Sequence, residues 1–193
     1  MENNLHNVYL FRAIEAYPWE LEKAIEALNY ALSYDPENVK ALSLMAAIQI
    51  EQLGNYELAK SYYQKALSVS LEVPFIYPEY IRLLINYGDY EEAQNLIEFA
   101  VTVKGIDKAG IMLNQGLLYE VQEQFDLAEN TIKEAKQLAM NNDFISYADE
   151  ILSRVSKKHK FQKNKERKLE NLQKKVEEET KTNWFQNRLN SLL

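Results

Sequence analysis

The 193-residue chain contains no cysteine, which excludes disulfides, a thiolate nucleophile and any thiolate metal site. Five glycines and four prolines leave little turn chemistry for a sheet, while alanine, leucine, glutamate, lysine and glutamine predominate. An all-helical protein is therefore expected. The two histidines, His6 and His159, stand at opposite ends of the chain, neither at a metal-triad spacing from a carboxylate, so both are expected at the surface. The scattered glycines form no phosphate loop or dinucleotide fingerprint, and no serine has a legible base partner. Without a convergent site the expectation is a non-enzyme with no metal and no cofactor. No stretch of eighteen apolar residues occurs, and the start Met-Glu-Asn-Asn-Leu-His lacks a basic segment followed by an apolar run. A soluble, cytoplasmic protein is expected.

What the chain does have is a repeat. The spacing Ala-x6-Ala at Ala24/Ala31 returns as Ala59/Ala66, Ala93/Ala100 and Ala128/Ala135, at steps of 35, 34 and 35 residues. A large apolar residue follows each leading alanine by four (Leu28, Tyr63, Ile97, Ile132), so every copy has a small, large, small stripe on one helical face. Small residues let a second helix approach closely, and such a period is the length of one helical hairpin. In the second copy Ala47, Ile50, Gly54 and Tyr56 precede Ala59. In the fourth, Gly116, Tyr119 and Phe125 precede Ala128; the third has Gly88-Asp89-Tyr90, and the first closes with Asp35-Pro36-Glu37-Asn38. In these residues the chain resembles the tetratricopeptide-repeat (TPR) family over roughly residues 5–142. It departs from the family pattern at Ile81, where a small residue is usual, and in lacking the early tryptophan. The resemblance implies a right-handed superhelical solenoid of about four hairpins.

Residues 1–156 read as this array plus a capping helix, and residues 157–193 as a basic, helical or partly disordered extension. The hairpins are expected at Leu5–Ala16 with Trp19–Tyr34, Val39–Leu53 with Tyr56–Ser70, a helix starting near Pro78 with Tyr90–Val103, and Asp107–Val121 with Phe125–Met140. Pro74 and Pro78 cannot both lie comfortably inside one regular helix, which places Phe75, Ile76 and Tyr77 in extended or turn conformation, either beside a notch in the wall or, as aromatic residues beside turns usually do, packed over the core. Phe144, Tyr147, Ala148, Ile151, Leu152 and Val155 form the capping stripe that a terminal hairpin requires. Beyond Ser156 only Phe161, Leu169, Leu172 and Val176 are large and apolar until Thr180–Asn183 breaks the pattern and an amphipathic segment follows at Trp184, Phe185, Leu189 and Leu192. Charge divides in the same way. Residues 1–153 hold 10 Lys+Arg against 24 Asp+Glu, and residues 154–193 hold 12 against 5, giving −14 and +7.

The resemblance implies a groove lined by the first helix of each hairpin, and the positions carried over are Tyr9, Leu44, Ile48, Gln52, Arg82, Asn86, Asn114, Leu117 and Glu120. Leu44, Ile48 and Leu117 replace polar residues with which some members hold a C-terminal carboxylate, so a ligand with an apolar face is expected. The alternative for these residues is burial inside the superhelix. The function implied is a non-catalytic adaptor or assembly chaperone holding a partner peptide or amphipathic helix. A second reading is a structural subunit that oligomerises through its tail. A third, nucleic-acid association through the basic run 154–168, is disfavoured by the acidic body and the scarcity of interleaved aromatics.

Overall fold

The computed structural model describes the backbone of residues 5–190, with their side chains except at 5–7, 178–179, 181–183, 185–187 and 189–190. Every regular element in this span is helical. Four hairpins follow one another: α1 (Leu5–Ala16) with α2 (Leu21–Tyr34), α3 (Val39–Glu51) with α4 (Tyr56–Val69), α5 (Ile76–Tyr87) with α6 (Tyr90–Ala100), and α7 (Lys108–Val121) with α8 (Phe125–Leu138). A single long helix, α9 (Asn142–Asn190), completes the described chain. The hairpins stack as a solenoid, because first helices lie on first helices (α1 on α3, α5 on α7) and each second helix lies on the next first helix.

The alanine frame explains this stacking. All eight alanines of the four copies are fully buried, and Leu28, Tyr63, Ile97 and Ile132 are buried between them. Gly116 shows how close the approach is. A Cβ at this position would stand 2.5 Å from Ile132 Cγ1, within the seam of α7 and α8. Gly116→Val is expected to destabilise the chain by about 2 kcal/mol, since overpacking outweighs the small gain in helix propensity. The measurement is a lowered urea midpoint at unchanged slope. In the third hairpin the wide Ile81 occupies the corresponding place, and there the two helices pack less closely than in the other three hairpins.

Local chemistry sets the helix ends. Asn38, Asn55 and Asp107 cap α3, α4 and α7, their side-chain oxygens accepting from the backbone N–H groups of Ala41, Leu58 and Gly110. Gly54 (φ 64°) and Gly88 (φ 90°) take the left-handed conformation between paired helices, and Glu123 (φ 60°) takes it in the fourth hairpin without a glycine.

Three expectations change. Helix α5 begins at Ile76 rather than near Pro78, with Ile76 and Tyr77 fully buried and no shortening of the helix. Pro78 then lies in the first turn, where its missing N–H has no intrahelical partner to lose, and Pro74 lies outside the helix. The Tyr77 hydroxyl donates to the Leu71 carbonyl at 2.6 Å, tying this start to the preceding loop. Trp19 precedes α2 instead of opening it, and is 88% exposed. Finally, α9 continues through Thr180–Asn183 without interruption.

Candidate protein-interaction surfaces

First helices stack on one another, and α1 shows how the side chains of such a helix divide. Tyr9 turns toward α2, stacking on Tyr30 and Tyr34 with ring centroids 5.1 and 5.9 Å away. At 3.6 residues per turn Phe11 and Ile14 fall on the opposite side of the helix. They are exposed, as is Val8, and Phe11 is 64% open to solvent. These three residues, rather than Tyr9, give α1 its open apolar face.

The other groove positions separate into open and closed. Gln52, Arg82 and Asn86 are exposed, with Arg82 paired to Glu79; Leu44 and Leu117 are half-buried. Ile48 is fully buried with Leu10, Ala13, Leu28 and Met45, in the seam between the first two hairpins. Asn114 is buried and donates to the Pro78 carbonyl at 2.9 Å. Ile48 and Asn114 therefore belong to the packing of the array and are not open to a ligand.

Glu120 is closed for a different reason. Its side chain is only 3% exposed, and Arg154 of α9 donates to its two oxygens at 2.9 and 2.6 Å while Lys158 stands 2.8 Å away. Burial pushes the carboxyl up, but hydrogen bonds and charge from Arg154 and Lys158 outweigh it and hold Glu120 below its ordinary value. One turn further, His159 is buried, not at the surface as its isolation in the sequence suggested. Its Nδ1 lies 3.1 Å from Glu129, which also accepts from the Ser156 hydroxyl at 3.0 Å. Its Nε2 lies 3.3 Å from Asp126. Thus Arg154, Lys158 and Lys163, read from sequence as part of a free basic run, fasten α9 to α7 and α8. The side chain of His6 lies outside the described residues.

Burial likewise opposes, and the partners of Glu129 prevail, so both glutamates titrate below their ordinary 4.5. A carboxyl lowered in the folded state contributes stability that is complete above its unfolded value and lost as pH falls through the folded one. Stability is therefore expected to drop progressively below about pH 4.5, read as a falling urea midpoint, and Glu120→Gln should flatten that dependence.

A second polar clamp joins hairpins two and three. Lys60 bridges Asp89 and Glu92, the Tyr56 hydroxyl donates to Asp89, and the Tyr80 hydroxyl donates to Glu92 at 2.6 Å. Desolvation and the Asp89 hydrogen bond push the Tyr56 phenol up to about 12, so it stays a donor. Glu92 is thus held from two helices, by Lys60 of α4 and Tyr80 of α5.

In the tail, Trp184 is exposed beneath the Arg188 guanidinium, 5.4 Å from the ring centroid. The side chains of Phe185 and Leu189, and Leu192 altogether, lie outside the described residues. Among the described residues no group of three His, Cys, Asp or Glu could hold a metal, and no helix is long and apolar enough to cross a membrane.

Comparison with known proteins agrees with this architecture. The tetratricopeptide-repeat family model matches residues 39–72, the second hairpin. No curated protein sequence matches the chain. Among solved structures, PilF of Pseudomonas aeruginosa superposes with a TM-score of 0.70 at 19% identity, covering 82% of this chain and 71% of PilF. PilW, described as a widely conserved type IV pilus biogenesis factor, gives 0.63 at 21% identity, covering 79% and 78%. A thermophilic TPR protein of Thermus thermophilus gives 0.62 at 20% identity, covering 79% and 86%. These likenesses concern the fold. Residues 39–72 match the tetratricopeptide-repeat family model outright, the other three hairpins are built on the same buried alanine frame, and the chain has the tetratricopeptide-repeat fold.

Proposed function

We propose that this protein is a non-catalytic adaptor whose inner wall holds an apolar segment of a protein partner. The observation that carries the reading is the open face of α1, where Val8, Phe11 and Ile14 are exposed while Leu10 and Ala13 of the same helix are buried. Further along the first helices, half-buried Leu44 and Leu117 alternate with exposed Gln52, Arg82 and Asn86. Apolar anchors with polar neighbours are what an amphipathic helix or extended segment engages. A role in the assembly of other proteins also accords with the fold shared with the pilus biogenesis factor PilW.

The test is site-specific photo-crosslinking in the source cell, with the reactive residue placed at position 11 or 82 on the inner wall, or at position 65 or 134 on second helices. The expected result is one common partner captured from 11 and 82 and absent at 65 and 134. Equal capture from both sets, or none at 11 and 82, would defeat the inner-wall reading.

A further inference from the structure

The two ends of the solenoid are unlike each other, and each displays what the other lacks. At the first hairpin a cleft of about 420 Å³ opens between α1 and α2. Tyr9, Ala16, Ala27 and Tyr30 form its floor, and Glu15, Glu20 and Glu26 stand on its rim. Lys23 is taken up by Glu20, and Arg12 sits over the Tyr9 ring at 5.5 Å. Among the described residues neither Glu15 nor Glu26 has a cation partner. Residues 5–38 hold six Asp+Glu against two Lys+Arg, a net −4. A groove between two helices, floored by small and aromatic residues, has the shape that receives a third helix.

At the other end α9 carries the matching chemistry. Phe161, Leu169, Leu172 and Val176 are each more than half exposed and share one quadrant of the helix at 3.6 residues per turn. Residues 161–177 hold six Lys+Arg against three Glu, a net +3. The stripe is about 24 Å long, enough to cover the roughly 18 Å of α1.

The helix cannot reach the cleft of its own chain. It packs on α8, at the far end of the array from α1, and residues 142–190 contain no proline or glycine at which it could turn back. Pairing α9 with α9 over residues 161–177 would set six cations against an identical set, with Glu166, Glu170 and Glu177 to offset them, a net +3 facing a net +3.

We infer that the occupant of the α1/α2 cleft is the distal part of α9 from a second copy of this chain. The contact is heterologous, since the cleft of one copy meets the stripe of another and each copy keeps one free end, so copies add head to tail. The exposed first-helix positions of the later hairpins, Gln52, Arg82 and Asn86, are not part of this contact.

Two variants test it, with sedimentation velocity and light scattering on the full chain. Leu169→Asp with Leu172→Asp and Val176→Asp disables the stripe; Glu15→Lys with Glu20→Lys and Glu26→Lys disables the cleft. All six residues are partly or fully solvent-facing, and far-UV circular dichroism checks that each variant stays folded. The wild-type chain is expected to grow in mass with concentration and to dissociate in added salt. Each variant alone is expected at the monomer mass of 22.6 kDa, and their equimolar mixture at twice that mass, because one intact cleft meets one intact stripe and neither product can extend. A wild-type chain that stays monomeric overturns the inference. So does a cleft variant that still dimerises alone, which would mean α9 pairs with α9, or a mixture that remains monomeric.

Discussion

Ile48→Glu is expected to melt the first two hairpins while leaving the last hairpin and α9 helical. Ile48 is fully buried in a cluster built from α1, α2 and α3, including Leu10, Ala13, Leu28, Ala41 and Met45. Truncating such a residue costs about 2–5 kcal/mol in lost transfer and cavity energy. A carboxylate in the same place adds an unpaired buried charge, and the total is on the order of the whole stability of a small domain, roughly 5–15 kcal/mol. The C-terminal core is a separate cluster of Leu113, Phe125, Ala128, Ile132, Ala135, Ala148, Ile151 and Val155, and in a solenoid each repeat answers chiefly to its neighbours. Circular dichroism should therefore show a partial loss of helix, with the remainder melting in its own transition. Phe11→Glu gives the contrast. Its side chain is mostly in water, so stability should change by no more than about 0.5 kcal/mol, while capture of an inner-wall partner is lost. If Ile48→Glu left the melt unchanged, the seam between the first two hairpins would be wrongly placed.

The contrast between Ile48 and Phe11 also marks where sequence reasoning stops. The repeat was legible because close packing of helices demands small residues at fixed spacing, and every alanine of the frame is buried as that demand requires. The start of α5 was misread because proline was weighed as a breaker wherever it stands. At Pro78 the first turn excuses the missing donor, and burial of Ile76 and Tyr77 draws the helix two residues earlier. Of the groove positions, the exposed polar ones follow from the pattern of first helices. Ile48, Asn114 and Glu120 do not, because whether an inner-wall residue is open depends on how tightly successive first helices close over it. His159 and the cations beside it looked like a solvated run. Their partners Asp126, Glu129 and Glu120 are 30 or more residues away in sequence, and only the antiparallel return of α9 over α8 brings them together. A charge pattern read along the chain carries no information about such pairing.

That pairing supports the second large prediction, which turns on the order of two variants. Removing both cations, Arg154→Ala with Lys158→Ala, leaves the Glu120 carboxylate inside the α7–α9 seam with nothing to offset its charge. Breaking an interior ion pair in this way costs about 3–5 kcal/mol. Arg154 and Lys158 are themselves about half exposed, so their loss also admits some water, and about 2–3 kcal/mol is the expected effect. Glu120→Leu does the reverse. It leaves two cations that are already half solvated and free to turn outward, and it places an apolar side chain where burial favours one, so the change should lie within about 1 kcal/mol of zero. The cations are thus needed because Glu120 is there, and the acid is dispensable for stability. Its contribution is registry, since a carboxylate held from two successive turns of α9 fixes how far that helix slides along α7 and hence where the stripe of Phe161, Leu169, Leu172 and Val176 emerges. Chemical denaturation of the two variants decides the matter: equal losses, or a greater loss for Glu120→Leu, would show that the ion pair itself holds the cap in place.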